Sequence, residues 1–263
     1  MSRRPRSTKK APQKRRSHGA LATLPWLALA GMALFWPARA GKGSQALSAA
    51  ALARMEPGRG RSARWPLQIP WRGWRDILRR FAAPNRFNVL DLGVGSGAIL
   101  LAILAERPAA KGLGIDVSED ALAVARENAA NLGLAGRTAL LRGDWTAGLD
   151  DDGFDLVVAN PPYVRSSDIE TLDPEVRDYE PRLALDGGED GLDAYRRLAP
   201  EILRVLKPGG GFLVEIGHDQ AEAVKSLFAA AGAVDIRLTQ DLAGHDRIVA
   251  GSKKPLGIAA NNR

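Results

Sequence analysis

From residue 88 onward the chain alternates short apolar runs with longer helical stretches. The runs at 88–92 (NVLDL), 112–117 (GLGIDV), 138–142 (TALLR), 155–159 (DLVVA), 211–216 (GFLVEI), 233–239 and 246–251 predict strands. The stretches at 97–107, 118–132, 191–206 and 219–231 predict helices. Ser118 followed by Glu119 and Asp120 reads as a helix start, with a polar cap and acids near the positive end of the dipole. Lys207-Pro208-Gly209-Gly210 reads as a helix end, a basic last turn followed by breakers. Strands alternating with helices predict an α/β fold: a doubly wound, mostly parallel, seven-stranded Rossmann-like sheet with helices on both faces. The predicted division is 1–87 as an atypical, poorly ordered or partly helical segment, 88–252 as the main domain and 253–263 as a tail.

Charge changes sign at the same boundary. Residues 1–87 carry 19 Lys and Arg against 2 Asp and Glu, whereas residues 88–263 carry 18 against 28. The overall charge of +7 therefore belongs to the front third, and the acidic domain argues against a nucleic-acid partner. Residues 19–38 hold no charge, with an apolar run at 20–36, and Ala38-Arg39-Ala40 follows as a small-x-small pattern. These are the ingredients of a secretory signal or an N-terminal anchor. Export would part the domain from cytosolic substrates, and Pro25 weakens a helical span. A start without function or wrongly assigned therefore ranks first, an appendage second and a membrane segment last. Short helices are predicted at 44–55 and 74–83. The expected location is cytoplasmic. The chain has no cysteine, which excludes disulfides and thiolate chemistry, and the spacing of His18, His218 and His245 suggests no metal site.

The candidate ligand site begins at the first strand. Asp91-Leu92-Gly93-Val94-Gly95-Ser96-Gly97 places a glycine-rich turn between strand and helix, where the backbone must turn tightly and admit a ligand. Such loops also bind dinucleotide pyrophosphates, but the spacing is Gly-x-Gly-x-Gly, and Asp91 would repel a pyrophosphate while suiting a cationic amino-acid and sulfonium ligand. Asp116 ends the second strand, where a carboxylate can accept bonds from both ribose hydroxyls. After the third strand, Asp144 is a candidate for the adenine amine and Trp145 for an apolar wall, with a core position as the alternative for Trp145.

Asn160-Pro161-Pro162-Tyr163 follows the fourth strand directly. A Pro-Pro pair cannot continue a ladder, so this loop leaves the sheet rigidly at its carboxyl end, where ligands sit in doubly wound folds. An amide or aromatic amine nitrogen is a poor nucleophile because its lone pair is delocalised. It needs alignment more than a strong base. The Asn160 side-chain oxygen and the Pro161 carbonyl could accept both N–H bonds of a planar NH2 group, and Tyr163 could wall the slot.

This motif, with the glycine loop, resembles the class I S-adenosylmethionine-dependent methyltransferases that modify planar exocyclic nitrogens. PEVRDYEPRLALDGGEDGLDAYRRL (174–198), FLVEIG (212–217) and DLAGHDRIVAG (241–251) resemble the protein-(glutamine) methyltransferases that act on peptide chain release factors. The resemblance covers residues 88–251 and implies S-adenosylmethionine as cofactor and a release factor as protein substrate. It implies that the Gly-Gly-Gln glutamine enters beside Asn160, with cofactor contacts at Asp116, Trp145, Asn160 and the 93–97 loop. The helical N-terminal domain and the Pro-Arg-Pro-acid-Thr-Glu segment of that family are not found in residues 1–87. The alternatives are a ribosomal-protein glutamine, an exocyclic amine in DNA or RNA, and a non-catalytic remnant without its docking domain. Glu180 and Asp186 in the 164–190 excursion could line the entrance or equally be solvated loop acids, the run Asp150–Asp152 reads as a solvated loop, His218 as a capping-region residue and His245 as a turn residue. Glu215 reads as either buried near the cofactor or facing a neighbouring amide.

Overall fold

The computed structural model describes residues 87–256 apart from 242, and within them seven strands form one sheet. They are β1 (Asn88–Leu92), β2 (Lys111–Asp116), β3 (Thr138–Arg142), β4 (Phe154–Ala159), β5 (Leu206–Glu215), β6 (Ala233–Gln240) and β7 (Asp246–Lys253). The strand order is β3-β2-β1-β4-β5-β7-β6. Pairing is parallel from β3 to β5, and β7 runs antiparallel to both β5 and β6. The helices are α1 (Ala98–Glu106), α2 (Glu119–Asn131), α3 (Pro174–Arg177), α4 (Arg182–Leu185), α5 (Asp193–Val205) and α6 (Ala221–Ala230). The expectations for the basic start, the apolar run and the short helices at 44–55 and 74–83 lie outside the described residues. Among the described residues no helix is long and apolar enough to cross a membrane.

Strand alternation builds two cores. Leu90, Leu92 and Ala159 face α5 and α6, packing with Tyr195, Ile202 and Phe228. Val89, Val158 and Leu213 face the opposite side and pack with Leu100, Leu104 of α1 and Leu122 of α2. Central strands covered on both faces are apolar almost throughout, which is why these runs stand out in the sequence. The chain winds from β1 outward to β3, then crosses back to place β4 on the other side of β1. The crevice between the carboxyl ends of β1 and β4 is therefore the switch point where ligands bind in this architecture.

One sequence expectation at a helix end holds and another shifts. Ser118 caps α2 as predicted, its Oγ accepting from the Ala121 N–H at 3.2 Å. Lys207–Gly210, predicted to close a helix, instead lie in the leading end of β5, because α5 ends at Val205. The register jumps there from the pair Phe154–Leu206 to the pair Leu156–Gly211, so the four residues bulge from the ladder. The breakers act, but on a strand. Lys207 Nζ meets Asp155 Oδ2 at 2.8 Å and pins the bulge.

Arg137 stands just before β3, at the amino end of the sheet. The residue is 9% exposed, and its guanidinium donates to the carbonyls of Leu104 (2.7 Å) in the last turn of α1 and of Arg107 (3.1 Å) and Ala110 (2.9 Å) in the turn that follows. Burial lowers its pKa, since desolvation disfavours the cation. Arg137→Met keeps the stem and removes every one of these donors. The expected loss is about 2–3 kcal/mol, read from urea denaturation midpoints, because the carbonyls of Leu104 and Ala110 lose their buried charged donor. Arg137→Lys is expected to recover only part, its single ammonium being unable to span the fork.

Candidate active site

The turn after β1 is built from backbone bonds. The N–H groups of Gly93 and Val94 both donate to Ile115 O, at 2.9 and 3.0 Å, and the Gly97 N–H donates to Val94 O at 2.8 Å. Gly93 (φ 71°) and Gly97 (φ 82°) take left-handed conformations that a side chain would oppose. A Cβ at Gly93 would also stand 3.5 Å from the Trp145 ring and 4.0 Å from the main-chain oxygen of Asn160. The glycine turn, the third residue after β3 and the first residue after β4 thus converge on one spot. Ser96 is fixed from α2, where the Asn128 side-chain amide donates to its carbonyl at 2.9 Å.

Two carboxylates lie under and beside this turn. Asp91 is fully enclosed, and its Oδ2 accepts from the Leu100 N–H at 3.1 Å, so it caps α1 from below. Its Oδ1 has no hydrogen-bond partner. Burial, reinforced by the charge of Asp116, pushes its pKa up to about 7 despite the Leu100 bond. Asp116 receives the Gly95 N–H on one oxygen and the Ser118 N–H on the other, each at 2.9 Å, which leaves further lone pairs open. Neither acid is ion-paired among the described residues, so the turn carries uncompensated negative charge. Among the same residues no cluster of three His, Asp or Glu could hold a metal.

Trp145 has φ 49°, a sparsely populated conformation for an aromatic residue, and its ring packs partly against the core below α5. Asp144 goes elsewhere. Its carboxylate meets Arg197 Nη2 of α5 at 2.7 Å with 55% of the side chain exposed, so an ion pair holds it at the surface.

The Asn160–Tyr163 loop is held by its neighbours. Pro161 is buried, and the half-buried Asn160 side chain has no hydrogen-bond partner among the described residues. Gln220, 4% exposed, accepts the Gly217 N–H (2.9 Å) and donates to the carbonyls of Tyr163 (3.0 Å) and Gly191 (3.1 Å). One amide therefore ties the motif loop, the start of α5 and the turn after β5 together. The excursion from 164 to 190 folds back on the same loop, with Val164 N–H to Leu185 O at 2.9 Å and Gly187 N–H to Val164 O at 2.8 Å. Asp186, read from the sequence as an entrance or solvated acid, anchors this return by accepting from Ser166 Oγ at 2.5 Å and from the Gly188 N–H at 3.1 Å.

Glu215, at the end of β5, is 8% exposed, and burial pushes its pKa up to about 7, partly offset by Arg247. Burial and the nearby Glu215 charge also raise the phenol of Tyr163. Tyr195 of α5 donates its hydroxyl to the Glu215 main-chain oxygen at 2.7 Å. His245 lies in the turn that Asp241 closes, as read from the sequence. Asp151 and Asp152 are exposed but ion-paired, with Arg204 and Lys253. Gln220, Asn128, Tyr195 and Arg197 were not among the residues singled out by sequence. Gln220 had one faint signal, a polar residue three positions beyond Gly217 at a helix start.

A doubly wound sheet with one antiparallel strand, a glycine turn flanked by two acids and an Asn-Pro-Pro-Tyr loop at the switch point together define the class I methyltransferase architecture. The chain belongs to the methyltransferase-domain family, which matches residues 85–251. It is 68% identical over 181 residues to a protein named release factor glutamine methyltransferase from Caulobacter vibrioides, covering 69% of this chain and 63% of that one. A protein of the same name from Geobacter sulfurreducens is 47% identical over 176 residues, covering 67% and 61%. The chain thus spans less than two thirds of the length of these curated relatives. A solved methyltransferase from Pyrococcus furiosus shares the fold, with a TM-score of 0.53 at 18% identity over 73% of this chain and 88% of that one.

Proposed function

We propose that this chain methylates the side-chain amide of a glutamine in a protein, the Gly-Gly-Gln glutamine of a peptide chain release factor, with S-adenosylmethionine as donor and in the cytoplasm. The observation that carries the reading is the meeting of Gly93, Trp145 and Asn160 at one point, which sets the motif loop against the turn. The names carried by the two relatives support the choice of substrate.

The residues present fit a cationic donor. Asp91 keeps an orphaned buried oxygen, and together with Asp116 it leaves negative charge that a diphosphate would worsen and an ammonium with a sulfonium would relieve. When bound, S-adenosylmethionine supplies an electrophilic methyl group on a positively charged sulfur. Asp116 is the acceptor for its ribose hydroxyls, and Trp145 offers an apolar face. Asn160 Oδ1 and the Pro161 carbonyl accept the two N–H bonds of the substrate amide, holding its nitrogen in line and stabilising the positive charge that grows on it. Gln220 keeps that pair of acceptors from drifting by gripping the Tyr163 carbonyl.

The test is label transfer from S-adenosylmethionine by the full chain to release factor, its Gln→Ala variant, ribosomal protein and DNA, each offered alone. Label in native release factor and none in the variant is the expected result. Label only in DNA or only in ribosomal protein refutes the substrate, and cofactor binding without transfer to any acceptor refutes the activity.

A further inference from the structure

We propose that Glu215 is the base that receives the proton shed by the acceptor nitrogen, an assignment that rests on the glutamine-methylation reading. The balance of the reaction requires such a group. The nitrogen bonds to the methyl carbon, and the carbon–sulfur pair leaves with sulfur. The nitrogen is left cationic with both of its hydrogens, and one N–H bond must return its electrons to nitrogen as the proton departs. Asn160 Oδ1 and the Pro161 carbonyl orient those hydrogens, but both are amide oxygens, far too weakly basic to keep a proton.

Register places Glu215 beside them. Ala159 of β4 pairs with Val214 of β5, so the next positions outward are Asn160 and Glu215. Neighbouring strands lie about 4.8 Å apart, and side chains alternate between faces. Glu215 therefore ends β5 next to the point where the motif loop leaves β4, and the phenol of Tyr163 in that loop lies within reach of its charge. Continuing the register across β1 and β2 adds Gly93 and Asp116 to the row, so the ribose acceptor, the glycine turn, the amide pincer and Glu215 stand on four adjacent strands.

Glu215 is also chemically uncommitted. Its carboxylate is buried yet has no hydrogen bond to a described residue, and the Tyr195 hydroxyl takes its main-chain oxygen only. The other acids are committed elsewhere: Asp91 lies enclosed beneath the turn with one oxygen capping α1, and Asp116 holds the Gly95 and Ser118 N–H groups and is the ribose acceptor of the proposed function. The charged and titratable groups facing Glu215 are Arg247 from β7, Tyr163 from the motif loop and Tyr195 from α5. Both phenols remain neutral because burial raises them, and Arg247 is shared with Asp241 at 3.1 Å. The net result is a carboxyl pushed up to about 7, able to take a proton and to release it again near neutrality.

Glu215→Gln keeps the shape and removes the base. The expected effect is a fall in kcat of about 100-fold with cofactor affinity unchanged. The wild-type kcat is expected to fall as pH drops below about 7, and the variant profile to be flat there. Glu215→Asp should restore part of the rate and the acid limb. A readout without turnover is carbon NMR of the glutamate carboxyls in the wild-type chain, which stands even where a variant does not fold. The Glu215 signal should titrate near neutrality and move when a Gly-Gly-Gln peptide is added. Transfer by the wild type with an unchanged rate and acid limb in Glu215→Gln overturns this assignment alone, as does a Glu215 signal indifferent to the peptide. No transfer to glutamine by the wild type overturns the methylation reading and this one with it.

Discussion

Asn160→Ala is expected to lower kcat for glutamine methylation by about 1,000-fold, equivalent to about 4 kcal/mol of transition-state stabilisation, while cofactor affinity changes little. The reasoning is geometric. Asn160 contributes two things to the site, a main-chain oxygen lying close to Gly93 and a side chain with no hydrogen-bond partner among the described residues. Truncation leaves the first in place and deletes only the second, so neither the turn nor the fold loses a bond. A group that develops its interaction only as charge grows on the substrate nitrogen acts on kcat, not on cofactor binding. Isothermal titration with S-adenosylmethionine and a pre-steady-state transfer assay separate the two quantities. Equal loss of binding and turnover would refute the role given to Asn160.

The second large effect concerns Asp91, whose substitution trades function for stability. Its carboxyl has an ordinary value of 3.8 in the unfolded chain and about 7 in the fold. Between those values the folded state keeps a proton that the unfolded state has released, so stability is full below about 4, declines as pH rises to about 7 and levels off beyond. Asp91→Asn cannot ionise and still offers an oxygen to the Leu100 N–H. It should raise the stability of the ligand-free chain at pH 8 by about 1–3 kcal/mol, less than the full linkage because its amide N–H groups are also left without acceptors. The decline between pH 4 and 7 should shrink by about half, Glu215 supplying a second part with the same sign. Cofactor affinity should fall by about 10- to 100-fold, since a cation would lose its uncompensated partner. Urea denaturation across pH and equilibrium dialysis are the measurements. Destabilisation at pH 8 would show that the buried acid is not strained in the ligand-free fold.

The sequence made the sheet legible because each strand at its centre is wrapped on both faces, so burial is written locally as uninterrupted apolar runs. The glycine turn and the Asn-Pro-Pro-Tyr loop were legible for the opposite reason, being backbone geometries that few residue types allow. What local pattern does not encode is which distant group a polar side chain will find. Asp144 was read as a candidate ligand contact from its place after β3, and its local sequence says nothing of Arg197, 53 residues away, with which its carboxylate is paired. Gln220 serves Tyr163 from 57 residues away, and nothing in its own neighbourhood announces that. Lys207–Gly210 misled differently: glycine and proline mark an interruption without saying what is interrupted, and here it is the β4–β5 ladder.

The three bonds of Gln220 also divide the molecule into interchangeable and fixed parts. The excursion between Val164 and Asp186 leaves and rejoins the body where those two residues bridge, and the two points that Gln220 grips lie outside it, at Tyr163 and Gly191. That arrangement makes the excursion a cassette, whose length and surface can be rewritten to greet a different protein while the machinery beneath keeps its shape.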